Sequence, residues 1–267
     1  MGIQNLSYPS LPKSITMLKL DNVIAGNNVC TIDEKQYKKL DTIIQTVKTM
    51  SRALYQSVYI IDYHKNEFLY VSDDPLFLCG HTAKEIKDGG YSVHAQHVSE
   101  EEIKKLLEIN RVGFKFFEAN ITQEDRHLCY FTYDFHIPLN GKKALINHKL
   151  MPMLFTKDGR IWIAICIVSL STRSFSRDLE LHFESSPRYW RYNLSSHKWD
   201  EKRMIELSNE EKIVLQLCSQ GFTIKEIAEI MCRSVDTIKF YRRSLFEKTK
   251  KKNIIGVLNF ANLYKLL

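Results

Sequence analysis

LSNEEKIVLQLCSQGFTIKEIAEIMCRSVDTIKFYRRSLFEKT, residues Leu207–Thr249, carries the densest helix punctuation in the chain. Two S/T-x-x-E capping boxes, Ser208 with Glu211 and Thr223 with Glu226, mark helix starts, because the hydroxyl and the carboxylate three residues on satisfy backbone donors that a helix leaves orphaned. Gly221 falls where a helix of the first box would end. The spacing predicts helices over Ser208–Ser219, Thr223–Met231, Val235 to about Lys248 and, beyond the quoted stretch, Asn253–Leu266. Only Cys232, Arg233 and Ser234 separate the second helix from the third, which is the short turn of a helix-turn-helix. On helix lengths alone a generic helical bundle fits equally well.

Three more capping boxes stand upstream: Thr31 with Glu34, Thr82 with Glu85, and Ser99 with Glu102. The first opens an amphipathic stretch to about Tyr55, with Leu40, Ile43, Ile44 and Val47 at helical spacing, and predicts a long leading helix. From Val58 the period changes. Val58–Tyr63 and Glu67–Ser72 are rich in β-branched and aromatic residues across the polar turn His64-Lys65-Asn66, a β-hairpin pattern. Helices are expected at Thr82–Lys87 and from Ser99 to about Asn120, and strands at His127–Ile137, Lys143–Phe155 and Arg160–Ser169, with turns at Asn140-Gly141 and Lys157-Asp158-Gly159. Residues Thr172–Glu206 read as a partly structured connector in which Tyr189–Leu194 and His197–Glu201 pair as a small hairpin.

The bulk numbers fit two domains in 267 residues. The formal net charge is +7, of which Leu207–Leu267 supplies +5 through 11 Lys/Arg against 6 Asp/Glu. A polyanionic partner accounts for that bias, and so does a solvated basic face. The longest apolar run, Ile161–Leu170, is too short for the roughly 20 residues of a membrane span, and no signal peptide is readable, so a cytoplasmic protein without a membrane partner is expected. Six scattered cysteines without C-x-x-C pairing predict buried thiols and no metal site. No G-x-S-x-G, Walker or H-E-x-x-H motif occurs, which leaves no catalytic residue to name and argues against an enzyme.

The stretch Leu207–Met231 resembles the LuxR/GerE family opening L-T-x-R-E-x-E-V-L…G-x-S-x-K-E-I-A-x-x-L, and Ser234-Val235-Asp236-Thr237-Ile238-Lys239 resembles its S-x-x-T-V-K, with Lys248 where a lysine closes the recognition helix. The resemblance covers about the last sixty residues and implies a DNA-binding transcription regulator. Two positions depart from it: Arg233 stands where the family usually has an apolar residue, and Tyr241 where it often has His. These keep open a degenerate helix-turn-helix that serves only protein interaction or dimerisation. Helical geometry divides the third helix into a core side of Ile238, Leu245 and Thr249 and an opposite side of Asp236, Lys239, Phe240, Arg243 and Glu247. Lys239 and Arg243 can donate to guanine and Phe240 can touch a thymine methyl in the major groove. Thr237, Tyr241, Ser244 and Lys248 share a flanking edge suited to phosphates, to which Lys225 adds. In the family the last helix forms the dimer contact, so Ile254, Val257, Leu258 and Ala261 are expected there, in a homodimer on double-stranded DNA.

Tyr59–Ile86 looks like the start of a PAS sensor domain, with Gly80-His81-Thr82-Ala83-Lys84-Glu85-Ile86 matching G-[YH]-[ST]-x-x-E-[IL], and His148–Ser171 fits the closing hairpin of that family. The resemblance implies haem, flavin or a small molecule held between sheet and helices, or a dimerisation surface. None of nine histidines stands in a haem-ligand motif and the flavin-linked N-C-R-F motif is absent, so neither cofactor is expected and a small-molecule ligand stays open. Phe68, Phe77, Phe131, Tyr133 and Trp162 are the candidate lining. A phosphoreceiver, which alternates strands and helices, does not fit the strand-rich block, and the Trp and Asp motif of acyl-homoserine-lactone domains is not seen. The expected class is α+β: a leading segment (1–56), a PAS-like domain with an antiparallel five-stranded sheet and helices (57–172), a connector (173–205), and an all-α four-helix helix-turn-helix domain (206–267).

Overall fold

The computed structural model describes residues 32–139, 142–171, 173, 176, 178–184, 186–264 and 266. The chain divides into two compact units, one running up to Ser185 together with Trp190–Asp200, the other comprising Ser186–Tyr189 and Glu201 onward.

In the first unit, α1 (Glu34–Tyr37) and α2 (Leu40–Ser51) precede a hairpin of β1 (Ser57–Asp62) and β2 (Glu67–Val71). Helices α3 (Pro75–Leu78), α4 (Ala83–Gly89), α5 (Tyr91–Ala95) and α6 (Glu100–Asn120) follow, then β3 (Cys129–Leu139), β4 (Lys142–Phe155) and β5 (Ile161–Leu170). Two strands, helices, three strands is the order that the sequence predicts. The Thr82–Glu85 capping box forms reciprocally at α4, and Ser99 caps α6. The box expected at Thr31 lies outside the described residues; Asp33 is the N-cap of α1. The single leading helix is instead two pieces. Tyr37 pins the first by donating to Asp62 Oδ2 at 2.8 Å and by meeting Trp162 edge-on at 5.2 Å.

The sheet has eight strands rather than five, in the order β2-β1-β5-β4-β3-β6-β7-β8, and the ladders from β2 through β6 are antiparallel. The extra three, β6 (Leu179–Phe183), β7 (Arg188–Asn193) and β8 (Lys198–Arg203), come from the stretch expected to be a connector. Leu179 and Leu181 are buried on the core side while β6 pairs with the edge of β3 through Phe131↔Leu181. The intervening Glu180 and His182 are buried as well, and tolerate it because Glu180 accepts from Arg191 Nη2 at 2.8 Å and meets His182 Nε2 at 3.0 Å. The hairpin expected at Tyr189–Leu194 and His197–Glu201 is β7 and β8. Asn193 Oδ1 accepts from the backbone N–H groups of Ser195 and Ser196, and Trp199 stacks on Phe116 of α6 at 4.1 Å.

Helices cover the central strands on both faces. Tyr59, Ile61, Phe131 and Cys166 join Ile109, Phe114 and Phe117 of α6 in one core. Val58, Ile60 and Ile163 pack against Leu40 and Val47 of α2 in another. Burial on both faces is why all six residues of β1 are buried and its sequence reads as a run rather than an alternation.

Arg126, 6% exposed, ties the end of α6 to the β4–β5 turn. It donates to the carbonyls of Ile121 at 3.2 Å, Glu118 at 3.0 Å and Gly159. Gly159 sits at φ +81°, and a Cβ there would run into this guanidinium. A cation at a helix C-terminus also matches the partial negative charge of its free carbonyls. Replacing Arg126 with Ala should lower the stability of the sheet unit by about 2–4 kcal/mol, read as a fall in urea midpoint at unchanged slope, because three buried carbonyls lose charged donors together.

Candidate nucleic-acid interface

The second unit contains α7 (Asn209–Ser219), α8 (Ile224–Ile230), α9 (Val235–Thr249) and α10 (Ile254–Leu263). Both expected capping boxes form, Ser208 with Glu211 and Thr223 with Glu226. Helix α7 ends in a Schellman motif: Gly221 N–H donates to the Cys218 carbonyl at 3.1 Å and Phe222 N–H to Leu217 at 3.2 Å, with Gly221 at φ +90°. Helix α8 ends identically, Cys232 N–H to Glu229 at 3.1 Å and Arg233 N–H to Ala228 at 2.9 Å, with Cys232 at φ +50° in the glycine position. The turn into α9 is therefore regular, and Arg233 leaves it unaltered with an exposed side chain.

One buried carboxylate fixes α9 against α7. Glu211 is 3% exposed; its Oε2 accepts from Ser208 N–H at 2.7 Å and from Lys248 Nζ at 2.7 Å, and its Oε1 accepts from Ser244 Oγ at 2.6 Å. Lys248 Nζ also donates to the Glu206 carbonyl at 3.0 Å. Burial alone would push the Glu211 carboxyl up, but the bonds from Lys248, Ser244 and the Ser208 backbone outweigh it and hold the group below the usual carboxylate range. Ser244 and Lys248, expected at phosphates, thus also hold Glu211, and the Lys248 side chain stays 38% exposed. Nothing in a helical wheel shows this, although the capping box singles out Glu211 and the family pattern singles out Lys248.

The remaining positions fall as the wheel predicts. Ile238 and Leu245 are fully buried and Thr249 is 4% exposed, whereas Asp236, Lys239, Phe240, Arg243 and Glu247 are all exposed. Phe240 is 63% exposed, a large apolar area to leave in water beside two cations. Lys239 Nζ meets Asp236 at 3.0 Å in a pair exposed on both sides, which is weak enough for another anion to replace. Thr237 Oγ1 lies 2.8 Å from Ser234 Oγ at the cap of α9, Tyr241 is half-buried and edge-on to Phe240 at 5.8 Å, and Lys225 is exposed in the first turn of α8.

The stripe expected to make a dimer contact is turned inward. Val257 and Ala261 are fully buried in this unit's own core, and Ile254 and Leu258 are half-buried against it. The exposed large apolar residue of α10 is Ile255, at 67%.

In the sheet unit, four candidate lining aromatics, Phe68, Phe77, Phe131 and Tyr133, lie in one core with Tyr59, but Trp162 lies in the other, against α2. Tyr59 Oη stands 2.6 Å from Nε2 of His148, which is 3% exposed and which burial holds neutral, down at about 3. His148 Nδ1 has no hydrogen-bond partner among the described residues. The space beside Phe131 and Tyr133 is about 10 Å³, room for about one water.

Replacing Glu211 with Gln should destabilise the helical unit by about 1–3 kcal/mol at pH 7. A folded-state carboxyl held low contributes above its ordinary pKa of about 4.3 and loses that contribution as pH falls through the folded value. The deficit of the variant, measured by urea unfolding, should therefore shrink below about pH 4.

Residues 206–261 match the model of bacterial regulatory proteins of the luxR family (GerE). No curated protein matches the chain. Among solved structures, a phage VqmA–DPO complex is 15% identical and is covered over 89% of its length by 85% of this chain, at TM-score 0.32. A Vibrio cholerae VqmA dimer is 13% identical over 82% of this chain and 86% of its own, at TM-score 0.30. The N-terminal domain of a diguanylate cyclase with PAS/PAC sensor from Marinobacter aquaeolei is 13% identical over 43% of this chain and 94% of its own, at 0.31. Among the described residues no helix is long and apolar enough to cross a membrane. Residues 206–261, with their two capped helices, their regular turn and their match to that family model, are a LuxR-type helix-turn-helix domain.

Proposed function

We propose that this chain is a sequence-specific DNA-binding transcription regulator, acting as a homodimer in the cytoplasm, in which a PAS-like sensor domain controls the helix-turn-helix. The observation that carries the reading is the division of labour on α9. Its inner edge is bound to Glu211, while Lys239, Phe240 and Arg243 stand exposed together on the outer side. A helix held rigidly from behind, with two cations and an exposed ring in front, suits insertion into the major groove. Lys225, Thr237 and Tyr241 are proposed to position the backbone, with Arg233 added to them. For the homodimer, the exposed side of α10 around Ile255 replaces the buried stripe as the contact.

For the sensor role, the proposed ligand is a small molecule that hydrogen-bonds the Tyr59–His148 pair. The space beside Phe131 and Tyr133 is about 10 Å³, so a ligand entering there displaces aromatic side chains. The proposed coupling runs through Thr172–Glu206, the stretch that holds β6, β7 and β8. No catalytic step is assigned to either unit.

The test is selection from a random duplex pool by the full chain at two salt concentrations, beside Lys239→Ala combined with Arg243→Ala. The reading predicts an enriched, roughly palindromic site whose affinity drops steeply with salt and which the double variant no longer enriches at unchanged folding. Equal, unselective binding by both proteins would replace it with an interaction module carrying a degenerate helix-turn-helix.

A further inference from the structure

Two histidines of the sheet unit meet in a way that the DNA-binding reading does not use. His81 immediately precedes Thr82, the cap of α4, and its backbone N–H donates to the Leu78 carbonyl at 2.9 Å. His97 immediately precedes Val98, which is 5% exposed, and Ser99, the cap of α6. Both backbones are thus anchored by capped helices. Between them the two Nε2 atoms lie 2.7 Å apart, with ring centroids at 4.9 Å and planes at 57°.

Facing nitrogens at that distance require opposite tautomers, one ring donating to the lone pair of the other. A metal ion can take both lone pairs in place of the shared proton. Two imidazole nitrogens each about 2.05 Å from a metal are about 2.9 Å apart at a right angle and about 3.3 Å apart at a tetrahedral one. The observed pair needs to open by only about 0.2 Å for the first geometry, a shift within the freedom of two side chains on fixed backbones. Right-angled nitrogen ligation is the preference of Cu²⁺ and Ni²⁺, and Cu²⁺ binds nitrogen donors more strongly than the other divalent first-row ions.

The surroundings fit such an ion. Among the described residues no group of three or more His, Cys, Asp or Glu side chains converges, and the His81 side chain is 31% exposed, so solvent would have to supply the remaining ligands of a bound ion. On the far side of the ring, Glu85 Oε2 lies 4.0 Å from His81 Nδ1, beyond hydrogen-bond distance, and adds a nearby negative charge while it accepts from Thr82. We propose that His81 and His97 form a two-imidazole site for Cu²⁺ that clamps the turn before α4 to the turn before α6.

The experiment titrates Cu²⁺ into the untagged full chain against glycine as a competing chelator, following the d–d absorption band and nitrogen hyperfine structure in electron paramagnetic resonance. Wild type is compared with His81→Gln and with His97→Gln, whose metal-free melting temperatures report folding. The site predicts one equivalent with a two-nitrogen imidazole signature in wild type, a melting temperature raised by Cu²⁺, and at least about tenfold weaker binding in each variant. Absence of a bound equivalent in wild type overturns the proposal, as does the same affinity and spectrum in all three proteins.

Discussion

A carboxylate buried at the start of α7 sets the geometry on which the helical unit depends. Glu211 closes the N-terminus of its own helix through Ser208 and, with its remaining lone pairs, holds Ser244 and Lys248 of α9. A buried charge is costly unless paired and hydrogen-bonded, and here three contacts converge on two oxygens. The result is directional as well as stabilising. Because the inner edge of α9 is fixed in register by charged hydrogen bonds, the rotation that exposes Lys239, Phe240 and Arg243 is fixed with it. The apolar core supplies most of the stability, but an apolar contact specifies rotation less sharply than a bidentate polar one.

The sheet unit solves a related difficulty by other means. Its strands are covered on both faces, so every polar group that enters must bring a partner. Asp62 accepts from Tyr37 and from the backbone N–H groups of His64 and Lys65, Arg126 donates to three carbonyls, and Glu180 binds Arg191 and His182. His148 is one of the exceptions, with Glu102 Oε2 and Trp162 Nε1: one ring nitrogen is bound to Tyr59 and the other has no hydrogen-bond partner among the described residues, in a core packed with aromatic rings. An unmatched polar atom at the centre of a tight core is a point where a small ligand gains a hydrogen bond that the protein alone lacks.

Local signals were read correctly from the sequence where the physics is local. Capping boxes at Thr82, Ser208 and Thr223 depend only on residues three apart, and the helical wheel of α9 depends only on its own period, so both were legible. Strand β6 was not, because Glu180 and His182 interrupt Leu179 and Leu181 in a stretch rich in Ser and Arg, and only tertiary partners explain why those polar residues are buried. The same limit affected Ser244 and Lys248, whose partner lies 33 and 37 residues away. Periodicity likewise shows that the stripe of α10 is apolar and not what covers it.

The central claim is that α9 is held by one side and reads DNA with the other. Chemical-shift mapping of the full chain on addition of a selected duplex tests this most directly. The account predicts that shifts concentrate on Asp236, Lys239, Phe240 and Arg243, with smaller ones at Lys225 and Thr237, while Ser244 and Lys248 keep the signals of their bonds to Glu211. Perturbation centred instead on the exposed apolar residues Ile213, Phe222 and Ile230, with α9 unchanged, would contradict it.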